Sequence, residues 1–175
     1  KRQSGFLMPS FESSSSLGDS LSIPYFKVIS ESKDFTLTPK IYSKNESLFQ
    51  NEYRQENKNS SHITDLSIKR GNKDSKSHFF SNTFAKLDLS YFESSELEIN
   101  IETTSNDNYL KSHKIESEIT NNNSLLNSFL MLRGNSQDFY LEAKVESYED
   151  LTKEKSSDKY QYLLPSFELS KNFNN

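Results

Sequence analysis

Glu96-Leu-Glu-Ile-Asn-Ile-Glu102 places Leu97, Ile99 and Ile101 on every second position, with Glu96, Glu98, Asn100 and Glu102 between them. A period of two is the signature of a β-strand, because successive side chains leave opposite faces of the backbone. One face of this strand is apolar and the other is charged. The same alternation recurs where Phe35, Leu37, Pro39 and Ile41 interleave with Thr36, Thr38, Lys40 and Tyr42. It recurs again where Phe139, Leu141, Ala143 and Val145 interleave with Tyr140, Glu142, Lys144 and Glu146.

Working outward, about ten such runs succeed one another. They lie near 5–14, 20–29, 34–43, 47–57, 62–69, 77–88, 95–104, 125–133, 138–148 and 160–170. Most approach the roughly 9–11 residues of a tilted membrane-spanning strand. Clusters of Ser, Asn, Asp and Lys separate them. Arg133-Gly-Asn-Ser-Gln-Asp138 reads as a tight hairpin turn, with Gly134-Asn135 able to adopt positive φ. The stretch 105–124 reads as a long polar loop. The chain has no heptads, no 3.6-residue stripe of useful length and no internal repeat.

The 175 residues suit one domain of ordinary size, roughly 100–200 residues. Lys plus Arg is 21 and Asp plus Glu is 25, a net charge of −4. So mild a balance excludes a protein that wraps nucleic acid, and also a polyacidic tail. Hydrophobic residues make up 32% and mean hydropathy is −0.83. No window approaches the roughly 18 consecutive apolar residues of a spanning helix, which excludes a helical membrane protein. Low hydrophobicity suggests disorder, but 13 Phe, 9 Tyr, only 4 Gly and only 4 Pro oppose it. With 0 Cys there is no disulfide framework and no thiolate metal site. The sequence opens at Lys1 without an initiator Met or signal peptide and closes on Lys171-Asn-Phe-Asn-Asn175. A piece of a longer protein is expected.

Two architectures make antiparallel meanders of this kind. A soluble sandwich buries its apolar faces in a core. A membrane barrel turns them to lipid and its charged faces to a lumen. The barrel explains the low hydrophobicity, since half of every strand is free to be polar. It also explains Glu and Lys at every second mid-strand position. The expected fold is therefore all-β, an antiparallel meander forming part of a large transmembrane outer-membrane β-barrel. A soluble or extracellular all-β module is the competitor.

No constellation points to catalysis, metal or cofactor. His62, His78 and His113 show no metal-ligand spacing and read as ordinary surface or lumen histidines. Serines are so numerous that a Ser near a His in sequence carries no information about a hydrolase. Gly5, Gly18, Gly71 and Gly134 are isolated, so there is no phosphate loop. Glu96 and Glu98 read as a solvated strand face, and the sequons at Asn45 and Asn59 are expected by chance in a chain this rich in Asn and Ser. The prolines say more. Pro9 and Pro24 fall inside the first two runs, and proline cannot donate to a ladder. Two such strands in succession make a weakly bonded seam, unless both are plain edge or strand-end prolines. Pro39 and Pro165 read as the plain kind, late in a strand or at a bulge.

Four blocks carry a resemblance. Lys1-Arg-Gln-Ser-Gly-Phe-Leu-Met-Pro-Ser-Phe11, Ile23-Pro-Tyr-Phe26, Asp34-Phe-Thr-Leu-Thr-Pro39 and Glu52-Tyr-Arg54 stand in the order and spacing of the first barrel strands of the LptD family of outer-membrane LPS-assembly proteins. The block Arg2-x-Ser-Gly-Phe-Leu-x-Pro9 is specific. Beyond Arg54 the similarity fades to strand rhythm, with Leu163-Leu-Pro-Ser-Phe167 a weaker echo.

That resemblance implies a barrel of about two dozen strands, within the size range of outer-membrane barrels. It implies a periplasmic jellyroll domain upstream, an LptE-like plug lipoprotein in the lumen, and lipopolysaccharide arriving along a periplasmic Lpt bridge. Residues 1–175 would be the partial barrel domain, without the jellyroll and the closing strands. The lipid would enter the outer leaflet of the cell outer membrane through a lateral gate at the first strands. The gate residues implied are Gly5, Phe6, Leu7, Pro9, Pro24 and Tyr25. Transport of this kind requires no cofactor and no catalytic residue. Lysines and Arg54 would be phosphate contacts by charge, though any single one reads more readily as a solvated lumen residue. The chain departs from the family in lacking Trp, which leaves an interfacial girdle to residues such as Tyr25, Phe26, Tyr42 and Tyr53. A generic outer-membrane pore remains the alternative within barrels. The opening block and the two seam prolines argue against it.

Overall fold

A computed structural model describes residues 2–15, 17–71, 75–120, 122–154 and 156–171. Lys1 of the opening block, Asn121 of the long loop and residues 172–175 of the closing stretch lie outside them.

Twelve strand segments form a single antiparallel sheet. They are β1 (Gly5–Phe6), β2 (Ser10–Ser14), β3 (Gly18–Ser22), β4 (Tyr25–Ser30), β5 (Lys33–Tyr42), β6 (Glu46–Glu56), β7 (Ser60–Arg70), β8 (Lys76–Leu87), β9 (Ser94–Thr104), β10 (Leu125–Asn135), β11 (Phe139–Asp150) and β12 (Tyr160–Lys171). Two single-turn helices, α1 (Tyr109–Ser112) and α2 (Ser156–Lys159), sit in the connections before β10 and β12. From β5 to β12 every strand pairs with its successor, as a meander requires. β1 and β2 share the first position in the sheet, and β3 and β4 share the second, both pairing with β5. The ten expected runs are thus ten sheet positions, the first two of them broken. Among the described residues the first position and β12 do not pair with each other, so the sheet they form is open at both edges.

Alternation sorts the side chains as the sequence requires. Phe11, Leu21, Ile41, Phe49, Ile68 and Phe79 stand exposed on the apolar face. Asp34, Lys40, Gln50, Asp65, Ser67 and Lys69 occupy the polar face. Pairing of Tyr25 with Leu37 and of Phe26 with Thr36 settles the faces around Pro24. Ile23 and Tyr25 lie on the apolar face, and Pro24 and Phe26 on the polar one.

Three expectations need correction. Gly134 and Asn135 belong to β10 and do not take positive φ; the turn is at 136–138. Gly134 is required instead by the Phe92 ring, which a Cβ there would meet at 2.5 Å. Phe26, on the polar face, is no girdle residue, and neither is Tyr42. Tyr42 is 5% exposed and packs inside a cluster with Leu48, Phe80, Tyr109, Leu110 and Ile115. That cluster also overturns the polar loop at 105–124. Its Asn and Ser residues conceal Tyr109, Leu110 and Ile115, which fold back onto the polar face and bury there. Too short to show a period, the three apolar residues left no pattern in the sequence.

Candidate functional site: the seam and the segment covering its polar face

The six residues implied as a gate come together at one corner of the sheet. Gly5 faces Phe26 and Phe6 faces Tyr25, with the two rings edge-on at 5.1 Å. Leu7 N–H donates to the Pro24 carbonyl at 2.9 Å. Pro24 has no N–H to return the bond. Pairing resumes at Ser10 with Ser22, so Met8 and Pro9 together face Ile23 alone. That count is a β-bulge, with its extra residue unpaired.

Pro39, expected to be incidental, joins this level. It lies opposite Ile23, whose N–H reaches the Pro39 carbonyl at a stretched 3.3 Å. Pro39 cannot answer either. Three adjacent sheet positions therefore lose donors at one height, each loss removing about 0.5–1.5 kcal/mol of net stabilisation. At the other edge Pro165 sits in a register shift opposite Val145, as its sequence position suggested.

Side chains on the polar face offset this weakness. Arg2 reaches over β4 to Asp34 of β5 at 2.7 Å, and Arg54 of β6 meets the same carboxylate at 2.8 Å. Lys40 of β5 reaches Glu12 of β2 at 3.0 Å. One tie lies on each side of the proline level. Arg54 was expected to be a phosphate contact; its guanidinium is already occupied by Asp34, with Glu52 at 3.5 Å and Glu118 at 3.6 Å.

The segment after β9 covers the neighbouring wall. Tyr109 and Leu110 are fully buried. Tyr109 OH lies 2.6 Å from Ser67 Oγ, and Ser67 Oγ lies 2.6 Å from His78 Nδ1. His78 Nε2 faces Asp65 at 3.2 Å, and Gln50 donates to the same carboxylate at 3.1 Å. Asp65, Ser67 and His78 have the composition of a hydrolytic triad, which the sequence did not reveal because they meet only across β7 and β8. Ser67 is closed over by Tyr109, and the arrangement works as an anchor for α1. Burial pushes the Tyr109 phenol up to about 12, so it remains a neutral hydroxyl in this chain of bonds. Neither His78 nor His113 is a surface histidine; both are buried, His78 on the polar face. His62 is half-buried, between Thr83 at 2.7 Å and Thr64 at 2.8 Å. Burial holds the His113 imidazole below its ordinary value, outweighing the Tyr109 carbonyl and Glu46, which pull it up. Among the described residues no group of three or more His, Asp or Glu is placed to hold a metal.

From this anchor the segment runs toward the seam. Gln50 donates to the Glu116 carbonyl at 2.8 Å, and Lys114 Nζ comes within 3.9 Å of Glu12. Behind it, Asp107 pairs with Lys159 of α2 at 2.6 Å. The segment is a strap from the hairpin before β12 to the first sheet position. Lys114 gave no sequence signal for such a role, because only the folded strap brings it to Glu12.

A 54-residue stretch is 44% identical to the LPS-assembly protein LptD of Paraburkholderia xenovorans (strain LB400). It amounts to 31% of this chain and 7% of that protein. No family model matches the chain. Among the described residues no helix is long and apolar enough to cross a membrane, which leaves strands free to do so. The similarity links part of this chain to an LPS-assembly protein, and the two-faced antiparallel sheet is compatible with a piece of a barrel and with an outer-membrane setting.

Proposed function

We propose that these strands are the opening part of an outer-membrane barrel that inserts lipopolysaccharide into the outer leaflet, without catalysis and without a cofactor. The observation that carries this reading is the proline level: Pro9, Pro24 and Pro39 side by side on the first three sheet positions. In lipid an unpaired backbone group costs several kcal/mol, so a ladder with full pairing stays closed. A ladder already short of donors parts at lower cost. Phe6, Met8 and Phe11 stand exposed beside the break and would meet acyl chains. The polar face would meet saccharide, a plug lipoprotein of the LptE kind, and cargo handed on by a periplasmic bridge.

Replacing Pro9 and Pro24 with Ala in the full-length protein restores two donors. Lipopolysaccharide delivery to the cell surface should slow, while the amount of heat-modifiable barrel in the outer membrane stays the same. Unchanged delivery would remove the gate from the reading. A heat-modifiable band that carries no lipopolysaccharide would favour a plain pore.

A further inference from the structure

We propose that the cavity between the strap and the proline level is a recognition site for a phosphate borne on a sugar, and that its occupation frees the first strand position. This deepens the lipopolysaccharide reading and rests on it. The cavity measures about 410 Å³ and is lined by Pro24 and the hydroxyls of Ser10, Ser22 and Thr38. Lys40 and Lys114 are its ammonium groups, and both converge on one atom, Glu12 Oε2, at 3.0 and 3.9 Å. Two ammoniums thus share the one carboxylate that pairs with them. Glu116 also borders the space, yet among the described residues it makes no ion pair.

A phosphate monoester carries about −1.5 to −2 charges near neutral pH and has three acceptor oxygens. The Glu12 carboxylate offers a single charge and two oxygens. Such a phosphate would therefore displace Glu12 from the lysine pair, while the hydroxyls suit a sugar ring. Glu12 belongs to β2, a five-residue segment already separated from β1 by the bulge at Pro9. Losing Lys40 and Lys114 removes its ion-pair ties to β5 and to the strap.

The backbone at Lys114 supplies independent support. α1 ends with Ile115 N–H donating to the Leu110 carbonyl at 2.9 Å, a closure that places residue 114 in the left-handed region at φ 50. Glycine is the usual residue there, because a side chain strains this conformation. A lysine stands at the strained position, with its ammonium at the cavity.

Amide hydrogen exchange across residues 5–14 of the full-length protein tests the site, with glucose 6-phosphate as the probe and glucose as the control. The sugar phosphate should accelerate exchange there several-fold, and glucose should leave it unchanged. Lys114→Gly relieves the backbone strain, so the variant folds, and it should abolish the response. Glu12→Gln should exchange fast without any probe. Absence of acceleration in the natural sequence, an equal effect of glucose, or an undiminished response in Lys114→Gly would overturn the proposal. Lipopolysaccharide delivery in Lys114→Gly separates the two readings. A lost probe response with normal delivery would support the site and remove lipopolysaccharide as its natural occupant.

Discussion

The corner β1–β4 and the wall β6–β9 are built from the same alternating pattern, and they are held together by opposite means. Each wall strand runs 11 or 12 residues with an unbroken register to its neighbours. None contains proline. In the corner the segments run 2 to 6 residues, and its two prolines, Pro9 and Pro24, share a level with Pro39 of β5. Backbone pairing is continuous in the wall, whereas in the corner ion pairs reaching across a strand, Arg2–Asp34 and Lys40–Glu12, bridge a broken ladder. Backbone bonds form cooperatively along a ladder. Partly exposed ion pairs contribute about 1 kcal/mol or less each and respond to competing ions. A weak ladder with charged ties is a structure that other charges can release.

The largest expected effect comes from giving the wall what the corner has. Leu66→Pro in β7 removes a donor between two full ladders, and in lipid the unpaired partner costs several kcal/mol. The heat-modifiable band should disappear from outer-membrane gels; its persistence would mean that the wall tolerates breaks as the corner does.

Next in size is the anchor of the strap. Tyr109→Ala empties a fully buried site, a change that costs about 3 kcal/mol or more for large aromatics. The strap at 105–120 should become open to protease while the wall strands keep their protection. If protection of 105–120 survives, Tyr109 is not what holds the strap down.

The smallest effect is a pH dependence of that docking. His113 contacts Tyr42 and Tyr109, with Glu46, Lys69 and Lys76 close enough to act on its charge. Its docked value lies below the ordinary 6.5 because burial disfavours the cation. The undocked strap therefore binds the proton more readily, and docking weakens as pH falls below about 6.5. Tyr109 acts at the other end: raised to about 12 when docked, it favours docking until pH rises past its ordinary 10.0. Strap exchange measured from pH 7.5 to 5 should quicken on the acid side in the natural protein and less so in His113→Gln. Identical profiles would assign the acid response to another group.

The ten sheet positions are legible in the sequence because period-two alternation is a property of neighbouring residues. The prolines at 9 and 24 were legible for the same reason, since the missing donor belongs to the residue itself. Pro39 was misjudged, because its weight comes from standing opposite Ile23, and opposition across strands follows from register. The anchor at Asp65, Ser67, His78 and Tyr109 was invisible on the same ground, its members lying up to 44 positions apart in three elements.

By itself, then, the sequence determined the all-β class, the two-faced strands and the break in the first two of them. Each of these is local chemistry, a side chain's polarity or a backbone nitrogen without a proton. The tertiary structure alone decided that three prolines share a level, that 105–124 folds inward as a strap, and that Lys40 and Lys114 converge on Glu12. Those facts depend on which strands lie side by side and on where a long connection finds apolar surface to bury. Both are settled by the free energy of the whole sheet rather than by any one segment of it.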